Sequence, residues 1–167
     1  MSQITVWISQ KNTDLTCLSA KEALVNLKGL SQLKSLRRTI QWDITTDLSE
    51  EAATALVTQI LNDSYYIANP NKESHRFSSP FTSGSDSVQF QVTANDYTGE
   101  HRLIDQIEAK FNSKINQLSK STIWDIQLDA SEEESNTLLK TVALPFLANP
   151  ISETAQRVSQ KAATTAL

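Results

Sequence analysis

Apolar and polar residues alternate at Ile4, Val6 and Ile8, and again at Val88, Phe90 and Val92; this two-residue period predicts a half-buried strand at each place. A helical period follows each strand. Ala20, Ala23, Leu24 and Leu27 would form the buried stripe of a first helix, with Ser19-Ala20-Lys21-Glu22 as a capping box at its start. The counterpart stripe is Leu103, Ile104, Ile107 and Phe111, with Thr98 as the expected N-cap. A long strand or bent hairpin comes next, with Ile40, Trp42 and Ile44 inward in one case and Trp124, Ile126 and Leu128 in the other. Ser49 and Ser131 then cap second helices whose first turns are acidic, as the helix dipole favours. Their stripes are Ala53, Leu56, Val57, Ile60 and Leu61, and Ser135, Leu138, Leu139, Val142 and Ala143. Short last strands are expected at about 73–77 and 152–158.

These paired elements reflect a tandem repeat. Trp42-Asp43-Ile44-Thr45-Thr46-Asp47-Leu48-Ser49-Glu50-Glu51 matches the segment from Trp124 to Glu133 at seven of ten positions, offset by 82. Ala68-Asn69-Pro70 recurs as Ala148-Asn149-Pro150 at an offset of 80, so the second copy lacks two residues near the end of its second helix. The expected fold is α+β: two ferredoxin-like βαββαβ-type repeats, each an antiparallel sheet with helices on one face. The domain boundaries read as repeat 1 at 1–78, a Ser/Gly/Pro-rich linker at 79–87, repeat 2 at 88–160 and a tail at 161–167. A unit of this size leaves one sheet face bare and buries little surface alone, so the repeats are expected to pack as an internal pseudo-dimer. Trp7, on the opposite strand face from Val6 and Ile8, puts an apolar residue on that bare side.

Composition narrows the partners. The 167 residues carry 39% hydrophobic and 20% charged side chains, as globular chains do. A net charge of −4 gives no global reason to expect nucleic acid or an anionic membrane. The one cysteine, Cys17, excludes an intrachain disulfide, and the start of the chain reads as a strand and not as a leader, so a cytoplasmic protein is expected. No apolar run is long enough to span a bilayer.

Candidate chemistry is sparse. The three glycines, Gly29, Gly84 and Gly99, form no phosphate loop. His75 and His101 are isolated, one expected on an edge strand and one on a helix, without partners at metal-ligand spacing. Cys17 lacks a nucleophile motif and is expected to pack. Asp43 and Asp125, and Asp47 and Asp129, are duplicated carboxylates that acid–base chemistry could use, but the second pair precedes helix N-caps and the first lies on polar strand faces. Asn69 and Asn149 suit left-handed helix ends, with Pro70 and Pro150 preventing continuation. No catalytic, cofactor-binding or metal-binding residue is assigned.

The element order, with Ile67-Ala68-Asn69-Pro70 and Leu147-Ala148-Asn149-Pro150 after the second helices and Trp42-Asp43-Ile44 and Trp124-Asp125-Ile126 in the long strands, resembles PurS, the small subunit of phosphoribosylformylglycinamidine (FGAM) synthase. The resemblance covers each repeat nearly end to end. Arg37 matches the arginine of the family's Arg-x-Gly-Lys turn, but Thr39-Ile40 replace Gly-Lys, and in copy two Ser121-Thr122 stand there with no arginine before them. The resemblance implies a non-catalytic, cofactor-free subunit that bridges the large ATP-dependent synthetase subunit and the glutaminase subunit, supporting ammonia transfer in purine biosynthesis. Arg37, Asn69, Pro70, Asn149 and Pro150 would then be the possible partner contacts, with further self-association left open. Two other readings are a small-molecule sensor of paired ferredoxin-like, ACT-type units, and an enzyme using the duplicated carboxylates.

Overall fold

A computed structural model describes residues 1–81 and 86–158; the middle of the expected linker and the expected tail lie outside them. The strands are β1 (Ser2–Gln10), β2 (Leu33–Thr46), β3 (Glu73–Arg76), β4 (Val88–Ala94), β5 (Gln117–Leu128) and β6 (Glu153–Arg157). The helices are α1 (Leu15–Asn26), α2 (Glu50–Asp63), α3 (His101–Phe111), α4 (Glu132–Leu138) and, after a π-helical turn at Leu139–Ala143, α5 (Leu144–Leu147). The fold is α+β, with an antiparallel sheet of hydrogen-bonded order β3-β1-β2-β5-β4-β6. Among the described residues no helix is long and apolar enough to cross a membrane.

The register follows the hydrophobic pattern. Ile4, Val6 and Ile8 stand opposite Ile44, Trp42 and Ile40, and Val88 and Phe90 stand opposite Ile126 and Trp124. A slip of one residue would turn every one of these side chains to the other face. Ser49 and Ser131 cap α2 and α4 as expected, accepting from the amides of Ala52 and Glu134. All five expected stripe residues of α2 are buried.

Three expectations differ from the structure. First, each repeat is βαβαβ and not βαββαβ, because the middle segment is one continuous strand, 14 residues long in β2. Second, α1 begins four residues before the expected capping box. Its N-cap is Asp14, whose carboxylate accepts from the Cys17 amide at 3.1 Å, and Leu27, expected in the stripe, is the C-cap and 80% exposed. Asp14 outcompetes Ser19 because its carboxylate also accepts from Arg38 at 2.9 and 3.1 Å. In α3 the N-cap position falls to Glu100, which makes no side-chain cap bond, while the Thr98 hydroxyl contacts the His101 ring at 3.2 Å.

Third, the compact units are not the sequence repeats. One unit comprises Met1–Asn12, Thr39–Pro80 and Tyr97–Ser121; the other comprises Thr13–Arg38, Phe81–Asp96 and the chain from Thr122 on. Each unit takes its first-type helix from the other repeat. Ile104 and Ile107 of α3 lie in one core with Ile4, Val6, Ile8, Trp42, Ile44 and the α2 stripe. Cys17 and Leu24 of α1 lie in the second core with Leu33, Leu36, Phe90, Val92, Trp124 and Ile126. The length of β2 and β5 makes this possible, since residues 33–38 and 39–46 of β2 serve different units, as do residues 117–121 and 122–128 of β5.

The second copy's helical run, Glu132–Leu147, extends further than α2 and leads directly into Ala148, so the two residues it lacks come from the loop that follows α2 in copy one. Pro145 has no amide proton to donate, and just ahead of it the bonding widens, with the Leu144 amide donating to the Leu139 carbonyl.

The cap of α1 makes stability pH-dependent. Burial raises the Asp14 pKa, but the Arg38 guanidinium and the Cys17 and Thr16 amides outweigh it, leaving the pKa below its ordinary 3.8. A depressed carboxylate pKa stabilises the fold above the ordinary value and loses that contribution as pH falls through the folded-state value. Asp14→Ala is expected to cost about 1–2 kcal/mol at pH 7. In thermal unfolding the gap between variant and unaltered chain should close as the pH is lowered into that range; a gap independent of pH would contradict the assignment.

Candidate functional site

The duplicated carboxylates on the long strands occupy equivalent positions and differ in what holds them. Asp125 is 1% exposed. Its Oδ2 accepts from Arg37 Nε at 3.0 Å and Nη2 at 2.8 Å, and its Oδ1 accepts from Gln89 Nε2 at 2.5 Å. Arg37 is the lid of this arrangement. Its side chain remains 53% exposed and its guanidinium lies 5.1 Å from the centre of the Phe81 ring. Asp43 is half-buried and accepts from Thr5 Oγ1 at 2.6 Å and Gln41 Nε2 at 3.1 Å. Thr5 faces Asp43 as Gln89 faces Asp125, so the same carboxylate–donor pair occurs in each repeat. At the offset of 82, Ser119 stands where Arg37 stands, and no ion pair forms at Asp43 among the described residues.

The Asn-Pro segments form matching loops. In each, the asparagine amide donates to Oε1 of the glutamate four residues on, at 2.8 Å for Asn69 to Glu73 and 2.8 Å for Asn149 to Glu153. The glutamate amide returns a bond to the asparagine carbonyl, at 2.8 Å in both. Each asparagine Oδ1 accepts from the amide two residues on, Asn71 or Ile151, at 3.0 Å. The motif is therefore Asn-Pro-x-x-Glu, and sequence reasoning missed its last member, although the spacing of Glu73 and Glu153 was open to view.

Neither asparagine is left-handed as expected. Among the described non-glycine residues only Asn112, which ends α3, has positive φ. The proline explains this: its ring pushes the preceding residue into the extended region. Nor does the first loop end a helix directly, since α2 stops at Asp63 and its C-cap is Ser64. Asn69 and Pro70 are half-buried, with Lys11 Nζ donating to the Pro70 carbonyl at 2.7 Å, whereas Asn149 and Pro150 are exposed. The hydrogen bonds and ring contact of the Arg37 guanidinium are with Asp125 and Phe81, not with either loop.

The remaining reactive side chains are dispersed. His75 lies on edge strand β3, its ring 5.8 Å from that of Phe77, and His101 opens α3. Cys17 is buried with Sγ donating to the Leu36 carbonyl at 3.2 Å, and burial pushes its thiol pKa up. Burial also pushes the Tyr97 phenol up to about 12; its hydroxyl donates to Glu100 Oε1 at 3.0 Å and accepts from the Lys120 amide. Asp47 accepts from Asn116 Nδ2 at 2.7 Å. Among the described residues no three His, Cys, Asp or Glu side chains are grouped to hold a metal ion. One cleft of about 400 Å³ lies beside the first Asn-Pro loop, between Tyr65, Tyr66, Pro70 and Lys110. Another of about 420 Å³, with mixed charge from Lys34, Asp86, Asp129, Glu132 and Arg157, opens beside β5 and β6.

The chain matches no protein-family model, and no curated protein is significantly similar to it.

Proposed function

We propose that this chain is a non-catalytic assembly subunit of FGAM synthase, in which two PurS-like repeats of one polypeptide form an internal pseudo-dimer. It acts in the cytoplasm, in de novo purine biosynthesis. It bridges the large ATP-dependent synthetase subunit and the glutaminase subunit, so that ammonia released by one reaches the other. The chemistry belongs to those partners.

The observation that carries this reading is the Asn-Pro-x-x-Glu loop, made twice with the same three internal bonds after the second helical segment of each repeat. A loop whose polar groups are satisfied internally presents a rigid surface, and two copies present it twice, as a dimer of single-repeat subunits does. Supporting it are the element order of the repeats and Arg37, at the place of the arginine in the family's turn.

The test is co-purification of the unaltered chain with the two synthase subunits in the presence of glutamine and ADP-Mg. A stable ternary complex is expected, together with glutamine-dependent amidine formation that needs this chain. Failure of the chain to bind either subunit under those conditions would remove the reading.

A further inference from the structure

The two repeats present the same carboxylate position, on the sheet face opposite Trp42 and Trp124, in different states. Around Asp125 the face is closed by the chain's own residues: the Arg37 guanidinium pairs with the carboxylate, and Phe81 lies against the guanidinium. Around Asp43 no described residue supplies the corresponding cation. Ser119 occupies the place of Arg37, and the next residue, Lys120, lies with its ammonium 5.5 Å from the ring of Trp42 on the core face. Arg76 stands opposite Trp7 on β3, with β1 between it and Asp43.

The same face carries Trp7, half-buried beside Thr5 and opposite Gln41. Its indole N–H has no hydrogen-bond partner among the described residues, and no buried side-chain nitrogen or oxygen lacks one, so this N–H reaches solvent. A half-buried tryptophan with a free donor, beside a carboxylate that no described residue pairs, offers the apolar area and the acceptor that a bound arginine and aromatic ring would use.

We propose that the sheet face centred on Trp7 and Asp43 is a docking surface for a protein partner, which inserts an arginine next to an aromatic side chain. The arginine takes the place that Arg37 takes on Asp125, donating two N–H bonds to the free lone pairs of Asp43. The aromatic ring packs against it, as Phe81 packs on Arg37, and covers Trp7. The partner thus supplies in trans what the other repeat supplies in cis.

The probe is a random peptide library displayed on phage, selected on the immobilised full chain and on three variants, Trp7→Ala, Asp43→Asn and Ser119→Arg. The unaltered chain is expected to enrich peptides with arginine adjoining an aromatic residue, and each variant is expected to lower their recovery at least tenfold. Ser119→Arg is the critical variant, because it supplies the missing cation from within and should close the site while raising the unfolding temperature. It also keeps the test sharp should Asp43→Asn fold poorly. No enrichment, enrichment without arginine, or equal recovery on Ser119→Arg would overturn the proposal. The outcome is independent of the synthase experiment: failure to bind the synthase subunits removes the assembly reading and leaves the peptide result standing.

Discussion

Residues 1–78 expressed alone are expected to give no folded monomer. The fragment contains β1, α2 and β3 but lacks α3 and the first residues of β5, which fill the same core. Ile104, Ile107, Ile115 and Leu118 are all at most 9% exposed in the whole chain, and all lie outside the fragment. The fragment also carries α1 without Phe90, Val92, Trp124 and Ile126, against which Cys17 and Leu24 are buried. Its two half-cores would therefore leave large apolar surfaces in water, at roughly 25 cal/mol for each Å². A chain of this size has no stability margin to absorb that loss. Circular dichroism of the dilute fragment should show neither native helix content nor cooperative melting. Mixing it with residues 86–158 should restore both, because each fragment holds the helix that the other needs. A cooperatively melting monomer from either fragment would contradict this exchange of helices.

The second large effect is expected at Leu24. This side chain is fully buried in α1. Leu24→Ala removes its contacts and leaves a cavity, at a cost of about 3 kcal/mol. For a chain of this length that lowers the unfolding temperature by about 6–12 °C. Leu27→Ala, three residues on, is the control. Leu27 is 80% exposed, so its truncation should change stability by no more than about 0.5 kcal/mol. Equal losses at the two positions would show that α1 packs through a different face.

The contrast between these two leucines marks the limit of periodicity. The local pattern sets the stripe of α1 one step too far along the helix because a serine–glutamate capping box stands at Ser19, while the stronger cap, Asp14, depends on Arg38. Arg38 is 24 residues away in sequence and reaches Asp14 only when β2 and α1 are packed. Where the cap is purely local, at Ser49 and Ser131, the residues alone specify it. The same division holds in the candidate site. The equivalence of Asp43 and Asp125 was plain from the repeat, as was the absence of an arginine just before Ser121-Thr122 in the second copy. That Arg37 closes over Asp125, with Phe81 upon it, was not, since those contacts join segments 88 and 44 residues apart.

Local order along this chain was set by its residues alone. The two-residue and helical periods, the serine caps and the Asn-Pro punctuation specify β, α, long β, α and short β, twice over, because each depends on neighbours within a few positions. Which elements share a core was decided only by tertiary structure. A stripe of leucine and isoleucine specifies that it must be buried but not against which copy, since the two repeats offer nearly equivalent apolar faces and the hydrophobic effect has no direction. The long strands β2 and β5, each serving both units, settle that choice by carrying the first helix of each repeat into a core with strands of the other.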